Sequence, residues 1–335
     1  MHHRYRFFYQ AWKGDTRGYL YVIGLLLIIL ANVLVSFVYP IVAGFFVDDY
    51  SSLTPNELLQ PERLGMPPAL GLMLLLLPFA AGLFAIWIAI KYIHRRSFTS
   101  VLTGNSQLNW RKVGIGAGVW IGITLVFELI VAFMNPENYT YTFDAAKFFP
   151  TLIVALIFVP LQTSMEEVLF RGYLMQGIGK QFKRPLVALL STSIMFGLLH
   201  AANPEIVKFG PILLLYYIGF GLMMGVLTIM DEGLELPLGI HAGNNLYGAL
   251  IITFPSSALQ TPAIFTLKEY PIEIMTLVWL IGSVIFILLM ARLYQWKDWS
   301  KLTGMLTPPL SSTESAADHQ DGITSLPDKD PERSH

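Results

Sequence analysis

Long apolar runs, separated by short polar connections, recur along the whole sequence. A helix needs about 20 apolar residues to cross the hydrocarbon core of a membrane. Eight runs come close to this length or exceed it, and they cover residues 18–47, 68–91, 113–134, 149–179, 185–202, 209–230, 237–254 and 272–295. Lipid offers the backbone no hydrogen bonds, so apolar runs of this length can cross it only as helices. We therefore predict an all-α, polytopic membrane protein with about eight transmembrane helices.

The composition agrees with this fold class. Hydrophobic residues make up 54% of the 335 residues and charged residues only 13%, roughly half the charged fraction of a soluble domain. The net charge of -1 gives no sign of a nucleic-acid partner. The absence of cysteine excludes disulfides, thiolate metal sites and a cysteine nucleophile. The partner that these numbers predict is the lipid bilayer.

Changes in amino-acid composition divide the chain into four parts. Residues 1–148 hold the first three helices, 149–254 hold the polar motifs described below, 255–296 hold the last helix, and 297–335 form a tail. The tail is rich in Ser, Thr, Pro, Asp and Glu, which bury too little apolar surface to fold, and we predict that it is disordered. Pro40 and Pro160 predict a kink or a break in the first and fourth helices.

Lysine and arginine are unevenly distributed among the connections. The amino-terminal segment, the second and fourth connections and the start of the tail carry three to five each. The first, third, fifth and seventh connections carry one each, namely Arg63, Lys147, Lys208 and Lys268. Because cytoplasmic connections retain positive charge, we predict a multi-pass protein of the cell (inner) membrane with both termini in the cytoplasm.

Three ionisable residues, Glu166, Glu167 and Arg171, lie within six positions of the fourth apolar run. Each costs at least about 2.5 kcal/mol at membrane depth, so a functional role is the default interpretation. At about 100° per residue, Glu167 and Arg171 share a helical face, whereas Glu166 points elsewhere. The spacing predicts an ion pair between Glu167 and Arg171, and a cavity-facing Glu166 that acts as a general base.

Two histidines lie near the same depth in later runs. Residue 183, in a basic turn, is midway between Glu166 and His200, so antiparallel packing places both about 20 to 25 Å from the cytoplasmic end. His241 lies only about eight residues beyond the middle of its preceding connection, which places it at a shallower depth in the membrane than Glu166 and His200. Either the connection at 231–239 enters the protein, or the helix boundaries differ from those predicted.

Further polar and small residues have predicted positions. His241 and Asn245 are four residues apart and share a face, and both are uncharged donors suited to stabilising an oxyanion. Glu128 lies at a similar depth and is expected to be a second partner for Arg171. Small-residue spacing predicts close helix packing at Gly114, Gly118 and Gly122, and at Gly221 and Gly225.

Taken together, these motifs resemble the CAAX protease and bacteriocin-processing family of intramembrane glutamate endopeptidases, related to the type 2 CAAX prenyl proteases. The matching residues are Glu166-Glu167 with Arg171, Phe196 four positions before His200, and His241 four before Asn245, within about residues 150–254. The resemblance implies that Glu166 and His200 activate a water while His241 and Asn245 hold the oxyanion. It implies a membrane-associated peptide or protein substrate, with no metal or other cofactor, and makes Phe170 and Phe196 candidates for substrate contact.

Two alternatives stay open from the residues alone. A zinc-dependent membrane protease could use His200, His241 and Glu166 as ligands, although no His-Glu-x-x-His motif occurs. A non-enzymatic protein could use the same buried network for proton-coupled transport or partner binding. Taken singly, a histidine or a phenylalanine in such helices is more often a packing residue than a functional one.

Overall fold

Apolar helices build most of the protein. The computed structural model describes residues 4–47, 57 and 60–308. Within these residues, seven helices are long and apolar enough to cross a membrane: Gly18–Ala43, Pro68–Ile93, Trp110–Met134, Ala145–Phe182, Pro185–Ala202, Ile212–Asp231 and Ile272–Leu293. The prediction of an all-α, polytopic membrane protein is confirmed.

The elements of these spans and of their connections follow in chain order. The α-helices are α1 (Arg6–Tyr9), α2 (Gly18–Ser36), α3 (Val38–Ala43), α4 (Pro68–Ile88), α5 (Trp110–Met134), α6 (Ala145–Glu167), α7 (Met175–Phe182), α8 (Pro185–Leu199), α9 (Pro204–Phe209), α10 (Ile212–Asp231), α11 (Glu235–Leu250) and α12 (Ile272–Leu293). Short 3-10 helices cover Gln10–Trp12, Pro61–Leu64, Phe98–Val101, Pro136–Asn138, His200–Ala202 and Trp299–Leu302, and π-helical segments cover Ala89–Ile93 and Val168–Leu174.

A small sheet lies in the connections on the side opposite the termini. Its strands are β1 (Tyr139–Tyr141), β2 (Ile252–Thr253) and β3 (Phe265–Leu267). The central strand β3 pairs antiparallel with β1 and parallel with β2, with Thr266 opposite both Thr140 and Thr253. The sheet ties the connection after α5 to the connection after α11.

The eighth predicted run, 237–254, differs from the others. Its helix α11 has only 16 residues, which at 1.5 Å per residue gives about 24 Å. The turn before it lies inside the protein, because Leu234 donates its backbone N–H to the carbonyl of Leu102, and the carbonyl of Glu232 accepts from Gly104, each at 2.8 Å. Residues 231–235 are accordingly buried. Both explanations for the depth of His241 therefore apply, because the connection is buried and the helix covers Glu235–Leu250 instead of the predicted 237–254.

This buried turn is covered by both ends of the chain. Glu232 accepts a hydrogen bond from the backbone N–H of Phe7 at 2.8 Å and pairs with Lys301 at 2.5 Å. Burial raises the pKa of the Glu232 carboxyl, and the Lys301 ammonium opposes that shift. Leu306 is fully buried, and its N–H bonds the carbonyl of Lys183 at 2.9 Å. The prediction of disorder from residue 297 is therefore wrong for 297–308, where contacts with the rest of the protein order the chain; 309–335 lie outside the described residues.

The two prolines have different effects. The first span divides at Phe37, between α2 and α3 and near Pro40, as predicted. Pro160 lies inside a continuous α6; of the predicted kink or break, the break does not occur. The helix instead widens to a π-helix over Val168–Leu174, directly after the glutamate pair. Such widened turns occur frequently at functional sites.

The helix pairs that frame the site pack closely through glycine. Helix α6 packs on α4 and α11, α8 on α10, and α5 on α11. A Cβ on Gly239 would overlap the backbone of α5, and one on Gly116 would lie 2.8 Å from the carbonyl oxygen of Leu236. The predicted packing at Gly221 and Gly225 is confirmed, whereas Gly114, Gly118 and Gly122 have no described atom within 4 Å of a built Cβ. On α5 the predicted glycine face is wrong, because the contact to α11 is made through Gly116.

Candidate active site

The two adjacent glutamates at the end of α6 have different surroundings. Glu167 is fully buried, and its Oε1 accepts hydrogen bonds from Arg171 at 3.0 Å and from His241 Nδ1 at 2.7 Å. Glu166 lines a cavity, and its Oε1 accepts from Gln162 Nε2 at 2.9 Å. The Oε2 of Glu166 is buried and has no hydrogen-bond partner among the described residues. Helical periodicity thus predicted the two orientations correctly.

Arg171 supplies the positive charge that accompanies Glu167. Its side chain is fully buried, and a second nitrogen donates to the carbonyl of Gly221 at 3.4 Å. The guanidinium carbon lies 4.5 Å from the centroid of the Phe196 ring, within cation–π range. Removing one member of such a pair leaves an uncompensated buried charge. Arg171 therefore supplies the charged partner of Glu167 in the interior of the protein.

Glu128 does not pair with Arg171. Its Oε1 accepts a hydrogen bond from the Tyr139 hydroxyl at 2.5 Å, and its side chain lines the same cavity as Glu166. The expected ion pair between Glu128 and Arg171 is therefore wrong, because Glu128 bonds Tyr139 of β1 instead. No signal in the sequence indicated this contact.

The ring of His241 lies between the two carboxylates. Its Nδ1 is 2.7 Å from Glu167 Oε1, and its Nε2 is 3.5 Å from Glu166 Oε2. A carboxylate oxygen only accepts, so we assign the proton to Nδ1. His241 Nδ1 therefore already donates its hydrogen bond to Glu167. The sequence instead predicted that His241 donates to the oxyanion. The physical reason is the direction of the side chain, which points from α11 towards α6.

His200 lies just after α8 and faces the same cavity. Its Nδ1 is 2.8 Å from the carbonyl oxygen of Phe196, and because a carbonyl only accepts, Nδ1 donates and Nε2 carries the lone pair. The ring stacks on Tyr217, with centroids 4.2 Å apart and planes 20° apart. These contacts fix an imidazole whose free nitrogen can act as a hydrogen-bond acceptor or a base.

Asn245 belongs to a chain of side-chain hydrogen bonds that leads to Glu166. Its Nδ2 donates to Gln162 Oε1 at 3.4 Å, and Gln162 in turn donates to Glu166. Asn244, which helical spacing would turn away, donates to Asn245 Oδ1 at 3.2 Å and accepts from Trp120 Nε1 at 3.2 Å. The bond from Asn245 to Gln162 is long, so a stronger acceptor could replace it.

The two phenylalanines differ in their access to the cavity. Phe196 is buried and lines it, with its ring centroid 4.5 Å from that of His200. Phe170 is packed edge-to-face behind Phe196 at 5.4 Å and is not among the described lining residues. Phe196 therefore lies at the cavity wall and Phe170 contacts it from the protein interior, and substrate contact by either residue stays a prediction.

The cavity has a volume of about 320 Å³, within the range of ligand pockets. It brings together Glu166, His200, His241 and Asn245. It also reaches the connections opposite the termini, where Phe209, Phe254 and Tyr270 line it. None of its described lining residues comes from the connections on the side of the termini, where the turn 231–235 is buried. The cavity can hold water and a short peptide segment.

A metal site would need several ligand side chains directed at one point. Among the described residues, no group of three or more His, Asp or Glu side chains is arranged to hold one metal ion.

Several polar residues of the site were missed in the sequence. Gln162 lies four positions before Glu166 on the same helical face, so the spacing that predicted the ion pair could have found it. Glu205, Tyr217 and Trp120 carry no such local signal, because they reach the cavity from three separate elements.

Comparison with known proteins gives two matches and one negative result. Residues 145–247 match the family model described as type II CAAX prenyl endopeptidase Rce1-like. An uncharacterized protein of Bacillus subtilis (strain 168), YyaK, is 37% identical over 192 residues, which cover 56% of this chain and 64% of that relative. The match thus spans somewhat less than two thirds of the relative. No solved structure matches.

The family match covers α6 to most of α11, and so all three motifs of the site. Its description names an endopeptidase, which supports the prediction of a peptide hydrolase.

Proposed function

We propose that the chain, whose residues 145–247 match the family model described as type II CAAX prenyl endopeptidase Rce1-like, is an intramembrane endopeptidase. It hydrolyses a peptide bond of a membrane-associated protein or peptide, using a water that Glu166 activates as general base. The single observation that carries this proposal is Glu166 itself: its Oε2 is buried without a hydrogen-bond partner among the described residues, and its side chain lines the same cavity as His200.

Water activation uses two acceptors. Glu166 Oε1 is held by Gln162, so Oε2 is the oxygen that takes a proton from water. His200 Nε2 accepts the second hydrogen of the same water and orients it, because its other nitrogen is bonded to Phe196. The hydroxide attacks the carbonyl carbon, and protonated Glu166 then gives its proton to the leaving amine.

The oxyanion is stabilised by Asn245. Its amide N–H leaves the long bond to Gln162 for the stronger acceptor that forms on the substrate carbonyl. His241, with one nitrogen on each glutamate, is a positioning residue that keeps Glu166 at its place relative to the ion pair. Glu167 and Arg171 fix that ring and do not touch the substrate.

The side of the membrane from which the substrate enters the cavity follows from the orientation of the protein in the membrane. With both termini in the cytoplasm, as the positive-inside distribution predicts, the cavity reaches the non-cytoplasmic connections. The chain has no cysteine, so single cysteines can be labelled without background. Lys208→Cys should react with a membrane-impermeant maleimide added to intact cells, and Lys297→Cys should react only after lysis. The reverse pattern would invert the orientation.

The enzymatic proposal is tested with purified protein in detergent and a library of internally quenched peptides. Cleavage should disappear in Glu166→Gln while thermal unfolding stays unchanged, and it should persist in a strong chelator. Cleavage that is unaffected by Glu166→Gln would refute the assigned base, and loss in chelator that zinc restores would instead support the zinc-dependent alternative.

A further inference from the structure

A second buried carboxylate, Glu205, faces the cavity beside His200. It lies on α9, is 6% exposed, and lines the cavity. Its Oε1 accepts from the Tyr217 hydroxyl at 2.5 Å and from Asn203 Nδ2 at 3.2 Å. Its Oε2 is buried and has no hydrogen-bond partner among the described residues. The mechanism above does not use Glu205.

The charge of the cavity is one-sided. Glu128, Glu166 and Glu205 line it, and no lysine or arginine is among its described lining residues. A buried carboxylate oxygen without a partner is costly, and a cation placed against it recovers that cost. A carboxylate on the ligand would find no cationic side chain in the lining.

The wall around Glu205 is aromatic. Tyr216 packs edge-to-face on Trp279 at 4.9 Å, and Phe254 lies 4.4 Å from Tyr270 between ring centroids. All four rings line the cavity. Aromatic faces attract cations and also accept the apolar stem of a long side chain. Lysine and arginine combine both properties.

We propose that Glu205 is the binding site for a lysine or arginine side chain of the peptide substrate, adjacent to the bond that is cleaved. The proposal rests on the proposed function for the identity of the ligand as a peptide. Tyr217 bonds Glu205 and stacks on His200. The bound basic side chain would therefore be separated from His200 by one side chain, that of Tyr217. The substrate class is therefore a basic peptide segment, distinct from a substrate recognised by its terminal carboxylate.

The test measures binding without turnover. In a Glu166→Gln background, titrations use acetyl-Leu-Lys-Leu-amide, its neutral norleucine analogue and its glutamate analogue. Trp120 and Trp279 line the cavity, so quenching of tryptophan fluorescence reports occupancy. A hydrogen bond to a charged group predicts that the lysine peptide binds about tenfold more tightly than the norleucine peptide, with the glutamate peptide weakest.

A further substitution assigns the effect to one residue. Adding Glu205→Gln, which can still accept from Tyr217, should remove the lysine preference, whereas the matched Glu128→Gln change should keep it. Equal binding of the lysine and norleucine peptides to the Glu166→Gln protein overturns the proposal whether or not the Glu205 variant folds. Equal loss in both variants overturns it too, because the effect would then be general charge.

Failure of this site and failure of the proposed function give different results. If no peptide is cleaved by the wild type but the Glu205-dependent lysine preference is present, the binding site stands and the enzymatic proposal fails. If cleavage depends on Glu166 but no lysine preference is measured, the enzymatic proposal stands and this site is refuted.

Discussion

Replacing each of the two adjacent glutamates by glutamine separates stability from chemistry. The two changes are identical in size and lie at neighbouring positions of α6. Glu167 accepts two short bonds from cationic or ring nitrogens, from Arg171 at 3.0 Å and from His241 at 2.7 Å. Glu166 accepts one from the neutral Gln162. Glu167→Gln therefore removes the negative charge that compensates the fully buried guanidinium of Arg171.

The expected magnitudes follow from these partners. Breaking a buried ion pair from one side costs about 3–5 kcal/mol, because the remaining charge stays buried. After Glu167→Gln, Arg171 retains the amide oxygen and the carbonyl of Gly221 at 3.4 Å, and neither is charged. Glu166→Gln keeps an oxygen for Gln162 and an amide that can donate to His241 Nε2, so its effect should stay within about 1 kcal/mol, the net value of one hydrogen bond.

The assay combines unfolding in detergent by titration with sodium dodecyl sulfate, followed by circular dichroism, with cleavage of quenched peptides. Glu166→Gln should lose activity at near-native free energy of unfolding, and Glu167→Gln should lose at least about 2 kcal/mol more. The double variant Glu167→Gln/Arg171→Met should recover part of that loss, because the unpaired charge is gone. Equal destabilisation by both single changes, or no recovery in the double variant, would refute the assignment of the ion pair to Glu167.

Three further outcomes are expected. Asn245→Ala should lower kcat by about 100- to 1000-fold with little change in KM. Asn244→Ala, which removes a hydrogen bond to Asn245 and one from Trp120, should lower kcat far less; steady-state kinetics that reverse this order would remove the oxyanion role of Asn245. Burial lowers the pKa of His94, so the unfolded state binds the proton more readily and stability should fall as the pH drops below about 6.5; melting curves at pH 8 and pH 5 should differ less in His94→Gln than in the wild type. Gly239→Ala should destabilise strongly because its Cβ overlaps α5, whereas Gly114→Ala, with open space at that position, should melt at or slightly above the wild-type temperature.

Local properties of the sequence predicted the spans and the ion pair. Helix length, apolar content and four-residue spacing act within one segment, so Glu167 and Arg171 could be paired before any packing was known. The same approach was insufficient for α11, where the apolar run continues to residue 254 but the helix has only 16 residues. Contacts of residues 102–104 with 232–234 set the start of that helix, and those contacts are distant in sequence.

Packing faces and side-chain directions were harder to predict, because they depend on neighbours. The regular spacing of Gly114, Gly118 and Gly122 indicated a face of α5, yet α11 packs against Gly116. His241 and Asn245 do share a face, but the ring of His241 reaches across to Glu167. Periodicity gives the direction of a residue around its own helix and does not identify the partner it meets.

The choice of Glu166 as the base, and not the other cavity carboxylates, rests on its neighbours. Glu205 also lines the cavity and has a buried oxygen without a hydrogen-bond partner among the described residues. Its other oxygen is bonded by a tyrosine and an asparagine, and neither of these partners is a histidine. Glu166 Oε2 lies 3.5 Å from the Nε2 of His241, whose Nδ1 is 2.7 Å from Glu167 Oε1. A carboxylate that must gain and return a proton benefits from such a polarisable, anchored neighbour, whereas a carboxylate that holds a substrate cation benefits from remaining charged. The two glutamates are therefore suited to different roles in one cavity, Glu166 to proton transfer and Glu205 to binding.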